Sequence, residues 1–226
     1  MPFHKSMLTF LSDLEQNNNR EWFKANKKRY EAELKEPALA FIREFSRHLP
    51  TVSPHIEAVA KAQGGSLFRI YRDTRFSNDK TPYKTHLSMN FRHERTSKDV
   101  HAPGFYFHIE PGGVFIGAGM WGPDIDMLKR MRDAIVADHT GFSAMWEETQ
   151  SMGWSWFGDN VLKRGPKGYD PEHPAIEFLK RKSFAATRSL EPDTIFDDGF
   201  ARHLADVYAE ASPLMAFECE AIGLAY

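Results

Sequence analysis

The residues best suited to chemistry lie between positions 67 and 85, in the stretch L-F-R-I-Y-R-D-T-R-F-S-N-D-K-T-P-Y-K-T. Basic, acidic and aromatic residues alternate here without a helical repeat. Between positions 69 and 84, five basic residues stand against two acidic ones, although the whole chain has a formal net charge of -2. Arginine binds carboxylate or phosphate through two parallel hydrogen bonds, and lysine acts as a point charge. The stretch therefore favours recognition of a small anion.

Segments with a two-residue period would position these groups. Alternation of apolar and polar residues predicts strands at 67–73, 84–92 and 105–110, and an E-P-G-G turn then leads into a hairpin partner at 113–120. If these strands are neighbours, their polar residues share one face of a sheet, and we expect them to converge on one cleft. Glycines 117 and 119 would leave room above the sheet.

The predicted ligand-binding residues fall into three groups. Five would bind the charge of the anion: Arg69, Arg72, Arg75, Lys80 and Lys84. Others would orient the ligand or line the same surface: Tyr71, Asp73, Asp79, Tyr83, His86, Tyr106, His108 and Glu110. A second cationic loop, L-K-R-G-P-K-G-Y-D-P-E-H-P at 162–174, could close over the sheet with Lys163, Arg164 and Lys167.

Simpler interpretations stay open for the same residues. The polar face could be the solvated side of a sheet, the arginines and aspartates of the 69–84 region could pair only to order their loop, and the second loop could be solvated. His86, His108 and Glu110 could form a two-histidine, one-carboxylate metal site, but H-x-E is a common spacing, and we predict no metal.

No catalytic nucleophile can be nominated from the sequence. Cys219 stands between Glu218 and Glu220, whose charges oppose thiolate formation. The chain contains no G-x-S-x-G elbow, Walker loop or G-x-G-x-x-G motif. General acid and base chemistry by the histidines or carboxylates remains open, so whether the protein is an enzyme, and with which cofactor, is undecided.

Length and composition bound the protein class. The chain of 226 residues with 42% hydrophobic residues suits one domain, with a helical part at 1–63 and a sheet-containing part at 64–226. We expect a soluble protein of the cytoplasm with no membrane association, because one cysteine excludes an internal disulfide and no long apolar run occurs. The slightly negative net charge disfavours nucleic acid as a partner. The oligomeric state is undecided.

Helical periodicity surrounds the predicted strands. Helices are expected in the first fifty residues, at 53–62 after an S-P start signal, and on both sides of a last, edge strand at 183–190. The fold class is therefore α+β, with a central, mostly antiparallel sheet, helices packed on one face and an N-terminal helical segment.

Three motifs together resemble a known family. The stretch F-R-I-Y-R-D-T-R-F-S-N-D-K-T-P-Y-K-T, with G-F-Y-F-H-I-E-P-G-G and L-K-R-G-P-K-G-Y-D-P-E-H-P, is similar to the uncharacterised family named domain of unknown function 2461. The resemblance covers nearly the whole chain, from residue 7 to about residue 217. It implies a single-domain soluble protein, and it carries no activity, cofactor or catalytic residue.

The leading interpretation is therefore a site for a small anionic ligand that carries phosphate or carboxylate, with enzymatic conversion left open. The alternative is a non-catalytic interaction module whose basic 69–84 region docks an acidic partner segment. A concave pocket would favour the first interpretation, and a flat or mutually salt-bridged surface would favour the second.

Overall fold

A computed structural model describes residues 3–96 and 98–226 and shows an antiparallel sheet covered by helices. The sheet order is β1-β2-β3-β4-β6-β5. The strands are β1 (Ile56–Glu57), β2 (Leu87–His93), β3 (Gly104–Glu110), β4 (Gly113–Gly119), β5 (Ser155–Trp156) and β6 (Ala186–Leu190). The α+β class predicted from the sequence is confirmed, as is the hairpin that joins β3 to β4.

Helices precede the sheet, interrupt it and close the chain. The first group is α1 (Lys5–Gln16), α2 (Arg20–Ala25), α3 (Lys27–Arg29), a π-helical segment (Tyr30–Lys35) and α4 (Glu36–Phe45). The others are α5 (Ile125–Ala137), α6 (His139–Ser151), α7 (Ile176–Leu179), α8 (Phe200–Glu210) and α9 (Ser212–Ala221). Short 3-10 turns occupy Leu49–Thr51, Glu94–Thr96 and Pro192–Phe196. No helix in the described parts of the chain has the length and apolar content needed to span a membrane.

Aromatic side chains join the helices to the apolar face of the sheet. The Phe45 ring of α4 lies 4.6 Å from that of Phe91 in β2, and the Tyr208 ring of α8 lies 4.3 Å from that of Phe105 in β3. These rings are fully buried in one continuous cluster that draws residues from both the N-terminal and the sheet-containing parts. Truncating one such ring to alanine costs about 3–5 kcal/mol of stability, so the cluster fixes how the helices sit on the sheet.

Three local predictions differ from the structure. Residues 53–62 form no helix, because Ile56 and Glu57 pair with the open edge of β2 as β1. The 67–73 segment is extended but contributes only isolated bridges, at Leu67 and Tyr71. The strand predicted at the sheet edge, β6, instead lies between β4 and β5. Each outcome depends on which distant segments pair as strands and which do not, and local sequence signals do not report such pairings.

A carboxyl group is buried where α9 crosses β4. Glu218 has no exposed surface, and neither of its carboxyl oxygens accepts a well-formed hydrogen bond from the described residues. Burial raises its pKa well above the ordinary value, although the nearby Met120 amide opposes the shift. A Cβ at Gly119, where φ is 111°, would lie 2.8 Å from one carboxyl oxygen and 2.4 Å from the Phe184 carbonyl oxygen. The space at Gly119, which the sequence suggested would be open, is therefore filled by the Glu218 carboxyl group and the Phe184 carbonyl.

Replacing this carboxyl group with an amide should change how stability depends on pH. An acid whose pKa is raised on folding gives most stability below its unfolded pKa, about 4.3, and loses it as pH rises toward the folded pKa. Glu218→Gln should therefore have a higher Tm than the wild type at pH 8, and the gap should shrink toward pH 5. Calorimetry across this range is the measurement.

The exposed Glu220 on the same helix provides the matched control. Glu220→Gln should follow the wild-type Tm at every pH. A gap between Glu218→Gln and the wild type that does not vary with pH would show that the buried group does not titrate abnormally.

Candidate functional site

A cleft of about 460 Å³ lies on the face of the sheet opposite the helical core. Its floor is formed by the outward-facing residues of β2, β3 and β4 and by the start of β6. The residues that supply polar groups to it are Lys84, His86, Ser88, Asn90, Tyr106, His108 and Thr187. Because side chains alternate along a strand, the register that buries Leu87, Met89 and Phe91 turns their neighbours into this cleft.

A chain of hydrogen bonds runs along β3. The hydroxyl of Tyr106 lies 2.9 Å from Nδ1 of His108, and Nε2 of His108 lies 3.3 Å from a carboxylate oxygen of Glu110. If Nε2 of a neutral His108 donates to Glu110, Nδ1 must accept from the tyrosine hydroxyl. This chain of hydrogen bonds therefore links a half-buried phenol to an exposed carboxylate through one imidazole.

Two imidazoles lie side by side in the cleft. The ring centroids of His86 and His108 are 4.4 Å apart, and Phe115 stacks on His108 at the same distance. Burial, reinforced by the charges of His108 and Lys84, lowers the pKa of His86 to about 4. Burial also lowers the pKa of His108, although Glu110 opposes the change. Both rings are thus neutral near pH 7 and can accept hydrogen bonds.

Lys84 places an ammonium group at the side of the cleft. Its Nζ lies 4.8 Å from the ring centroid of Phe68, which also contacts the Arg92 guanidinium at 5.9 Å. The side chain is partly buried, and burial, followed by the charge of Arg69, lowers its pKa. Across residues 3–96 and 98–226, no carboxylate lies within ion-pair distance of this ammonium. The Phe68 ring is thus the favourable contact that the structure gives this ammonium within the described residues.

The loop between Arg72 and Thr81 is held together by its own charges. Arg72 donates to Asp79 and to the Thr81 hydroxyl, and Arg75 lies 2.7 Å from Asp73. These arginines are the first cause that lowers the pKa of Asp73 and of Asp79 to about 2. The pairing considered as a simpler interpretation of the sequence is therefore present.

Aromatic packing ties this loop to the N-terminal helices. The Tyr83 ring stacks on Phe23 of α2 at 4.0 Å, and the Tyr71 ring lies 5.5 Å from Tyr83. The Asn18 side chain adds hydrogen bonds to the Tyr83 backbone at 2.9 and 3.0 Å. Both tyrosines thus anchor the loop to the protein.

The predicted ligand-binding residues separate into three locations. Lys84, His86, Tyr106 and His108 line the cleft, and Glu110 reaches it through His108. A second cleft of about 550 Å³ adjoins the first, and its lining includes Arg72, Asp73, Asp79, Tyr83, Lys84 and His86. Neither lining includes Arg69, Tyr71, Arg75 or Lys80. The expected convergence on one cleft therefore holds for part of the set.

The second cationic loop lies elsewhere. Lys163, Arg164 and Lys167 are exposed and line neither cleft. The hydroxyl of Tyr169 in this loop donates to Asp133 of α5 at 2.8 Å, so the loop packs on a helix and does not cover the sheet.

Large apolar residues at the cleft were missed by the sequence analysis. Phe68, Val100, Trp121 and Phe157 line it, and the side chains of Trp121 and Phe157 are 57% and 44% exposed. Phe68 lines the cleft, whereas Ile70, two residues further along the same segment, is buried in the core. Trp121 and Phe157 each precede a glycine, in W-G-P and F-G-D. A large apolar residue in such a turn was the signal in the sequence that could have indicated exposed apolar surface at a binding site.

The model of the family described as conserved hypothetical protein (DUF2461) matches residues 6–217. The chain belongs to this family. No curated protein and no solved structure matches it. The resemblance found in the sequence is thus confirmed, and the description of the family names no activity.

The two loop arginines should each control the titration of one aspartate. In the wild type the side-chain carboxyl groups of Asp73 and Asp79 should titrate with pKa values of about 2. Arg72→Gln should return the pKa of Asp79 toward its unperturbed value of about 3.9 and leave Asp73 unchanged. Carboxyl ¹³C chemical shifts measured from pH 6 to pH 1.5 report both groups.

Arg75→Gln is the reciprocal variant, and it should raise the pKa of Asp73 alone. Because a lowered carboxyl pKa stabilises the fold above the unfolded pKa, the loop pairs should persist at neutral pH and be lost as pH falls toward 2. Equal shifts of both aspartates in either variant would contradict the pairing described here.

Proposed function

We propose that the protein binds a small anionic ligand, bearing phosphate or carboxylate, in the cleft on the polar face of the sheet. The observation that carries this proposal is the ammonium of Lys84, which is partly buried and has no carboxylate partner among the described residues. The two loop arginines are already paired with aspartates. Lys84 is therefore the predicted basic residue in the cleft that remains available to an incoming anion.

Partial burial of the Lys84 ammonium favours binding of an anion next to it. Moving an ammonium group out of water costs free energy, and a nearby opposite charge offsets that cost. Burial already lowers the pKa of Lys84, and Arg69 adds to this effect. A phosphate or carboxylate at Nζ would favour the charged form and make a charge-assisted hydrogen bond, which is among the stronger polar contacts in proteins.

The rest of the cleft suits the other parts of such a ligand. A volume of about 460 Å³ lies within the range of roughly 300–1,000 Å³ that is typical of small-molecule sites. His86, Ser88 and Asn90 offer directional hydrogen bonds from the floor. Trp121 and Phe157 provide apolar surface for the uncharged body of the ligand. If the ligand is also converted, the bonded chain of Tyr106, His108 and Glu110 is placed to move a proton.

The alternative function, a module that docks an acidic partner segment, is favoured by one observation. Phe76, in the loop, is 95% exposed, and the Arg75 guanidinium lies 5.8 Å from its ring centroid. Exposed aromatic and arginine side chains are enriched in protein interfaces. The arginines of this loop are, however, paired with its own aspartates, so the cleft remains the better supported site. The net charge of -2 keeps nucleic acid the less favoured partner.

Lys84→Met is the direct test, because methionine preserves the apolar stem and removes the charge. A thermal-shift screen would use phosphate monoesters, nucleotides and small carboxylates. At a concentration of 100 times Kd, a true ligand should raise the wild-type Tm by about 5–10 °C. Lys84→Met should lose this shift while keeping its own Tm close to that of the wild type.

Lys163→Met is the matched control, since Lys163 is exposed and outside the cleft. It should respond to the ligand as the wild type does. The proposal fails if none of the anions raises the wild-type Tm, or if Lys84→Met keeps the full response. Binding of an acidic peptide that is lost in Arg75→Gln but kept in Lys84→Met would favour the interaction module.

A further inference from the structure

We propose that His86, His108 and Glu110 form a binding site for a first-row divalent transition-metal ion on the floor of the cleft. The site lies in the same cleft and shares His86 with the proposed anion site. It does not use Lys84, the side chain that carries that proposal, so the two can be tested separately. The sequence alone did not favour a metal, because H-x-E is a frequent spacing. The structure adds the relative positions of the three side chains.

The strand register brings the three side chains together. Leu87 of β2 pairs with Ile109 of β3, and Ser88 pairs with His108. His86 therefore stands opposite Glu110, and His108 is the next residue on the same face of β3. One ligand atom from each of the three side chains lies within 4.8 Å of the other two.

These separations are close to what an ion requires. First-row ions hold nitrogen and oxygen ligands at about 2.0–2.2 Å, so donor atoms around a tetrahedral ion lie about 3.4 Å apart. Nε2 of His108 and the Glu110 oxygen are already 3.3 Å apart. Glu110 and His86 are the less buried members, with the Glu110 side chain 46% exposed, and small rotations of these two side chains would complete the site.

The contacts around His108 are those of an oriented metal ligand. Tyr106 engages Nδ1, and Phe115 stacks on the imidazole ring, so Nε2 is held toward Glu110. Metal-binding histidines commonly have their second ring nitrogen fixed by a hydrogen bond, which sets the orientation of the ring. Tyr106 is therefore assigned as a positioning residue for this site.

The donor set selects the class of ion. Two imidazoles and one carboxylate suit zinc, iron(II), cobalt(II) or manganese(II), whereas calcium and magnesium prefer oxygen ligands alone. Three protein ligands leave coordination positions open toward the cleft. Lys84 lines the same cleft, so an anion bound to the ion would also be attracted by the ammonium.

Cobalt(II) is the probe for the test, because its visible absorption reports both binding and coordination geometry. The full-length chain, stripped with a chelator, would be titrated with Co²⁺ and then with competing Zn²⁺, with no other ligand present. We expect one equivalent to bind with a visible d–d band. Glu110→Gln and His86→Gln should each weaken binding at least ~100-fold, since even outer contacts are worth about 10–100-fold in affinity.

Two further variants separate the site from general effects. Tyr106→Phe should weaken binding roughly tenfold and alter the absorption band, as expected for a positioning residue. His203→Gln changes an exposed histidine of α8 and should bind as the wild type does. Melting curves of all variants would establish whether each one folds. Glu110→Gln is a conservative change at a partly exposed side chain, so we expect it to fold.

The outcomes distinguish this site from the proposed anion binding. The metal site is refuted if the wild type takes up neither ion, or if folded Glu110→Gln and His86→Gln bind like His203→Gln. Lys84→Met should bind Co²⁺ at least as tightly as the wild type, because it removes a positive charge that acts on His86. An anion response that depends on Lys84 without metal uptake would keep the function and remove this inference. Metal uptake without any anion response would support the metal site and refute the proposed anion binding.

Discussion

The antiparallel register between β2 and β3 is the constraint on which the molecule depends. Leu87 opposes Ile109, Met89 opposes Phe107 and Phe91 opposes Phe105. This pairing stacks apolar residues in rows against the helices and sends every intervening side chain into the cleft. Because side chains alternate with a period of two, a slip of one residue would bury imidazoles and expose phenylalanines. The packing of the core therefore fixes the strand register, and the register in turn fixes the positions of the polar groups in the cleft.

Rigidity is unevenly distributed around the cleft. Its floor rests on the central strands, whose inner side chains belong to the buried cluster. Its neighbour, the 72–81 loop, is held by exposed ion pairs and by two tyrosines that reach Phe23. Exposed ion pairs contribute little stability each. The floor can therefore keep imidazole positions fixed, while the loop keeps its shape through several weak contacts and two aromatic anchors.

The sequence predicted the parts of the site that follow from alternation along one strand. Lys84, His86, Tyr106 and His108 line the cleft because their apolar neighbours had to face the core. The sequence could not place Arg69 or Arg75. Arg69 lies in a segment whose bridge to the sheet is at Leu67, and Arg75 lies in the loop beyond it, where its partner is Asp73. It also missed Trp121 and Phe157, which reach the cleft through turns whose direction is set by tertiary packing. Periodicity predicts which way a side chain faces within an element, and it does not report which elements meet.

Lys84 and His86 line both the main cleft and the adjoining one. They therefore contribute to the walls of both clefts, so a charge bound in either cleft would change the electrostatic potential in the other. Two small anions would compete for the same ammonium even if they approached from opposite sides. An elongated or branched molecule could instead occupy both clefts and bend where it passes Lys84. Lys84 would then contribute to selectivity for the length of the ligand as well as for its charge.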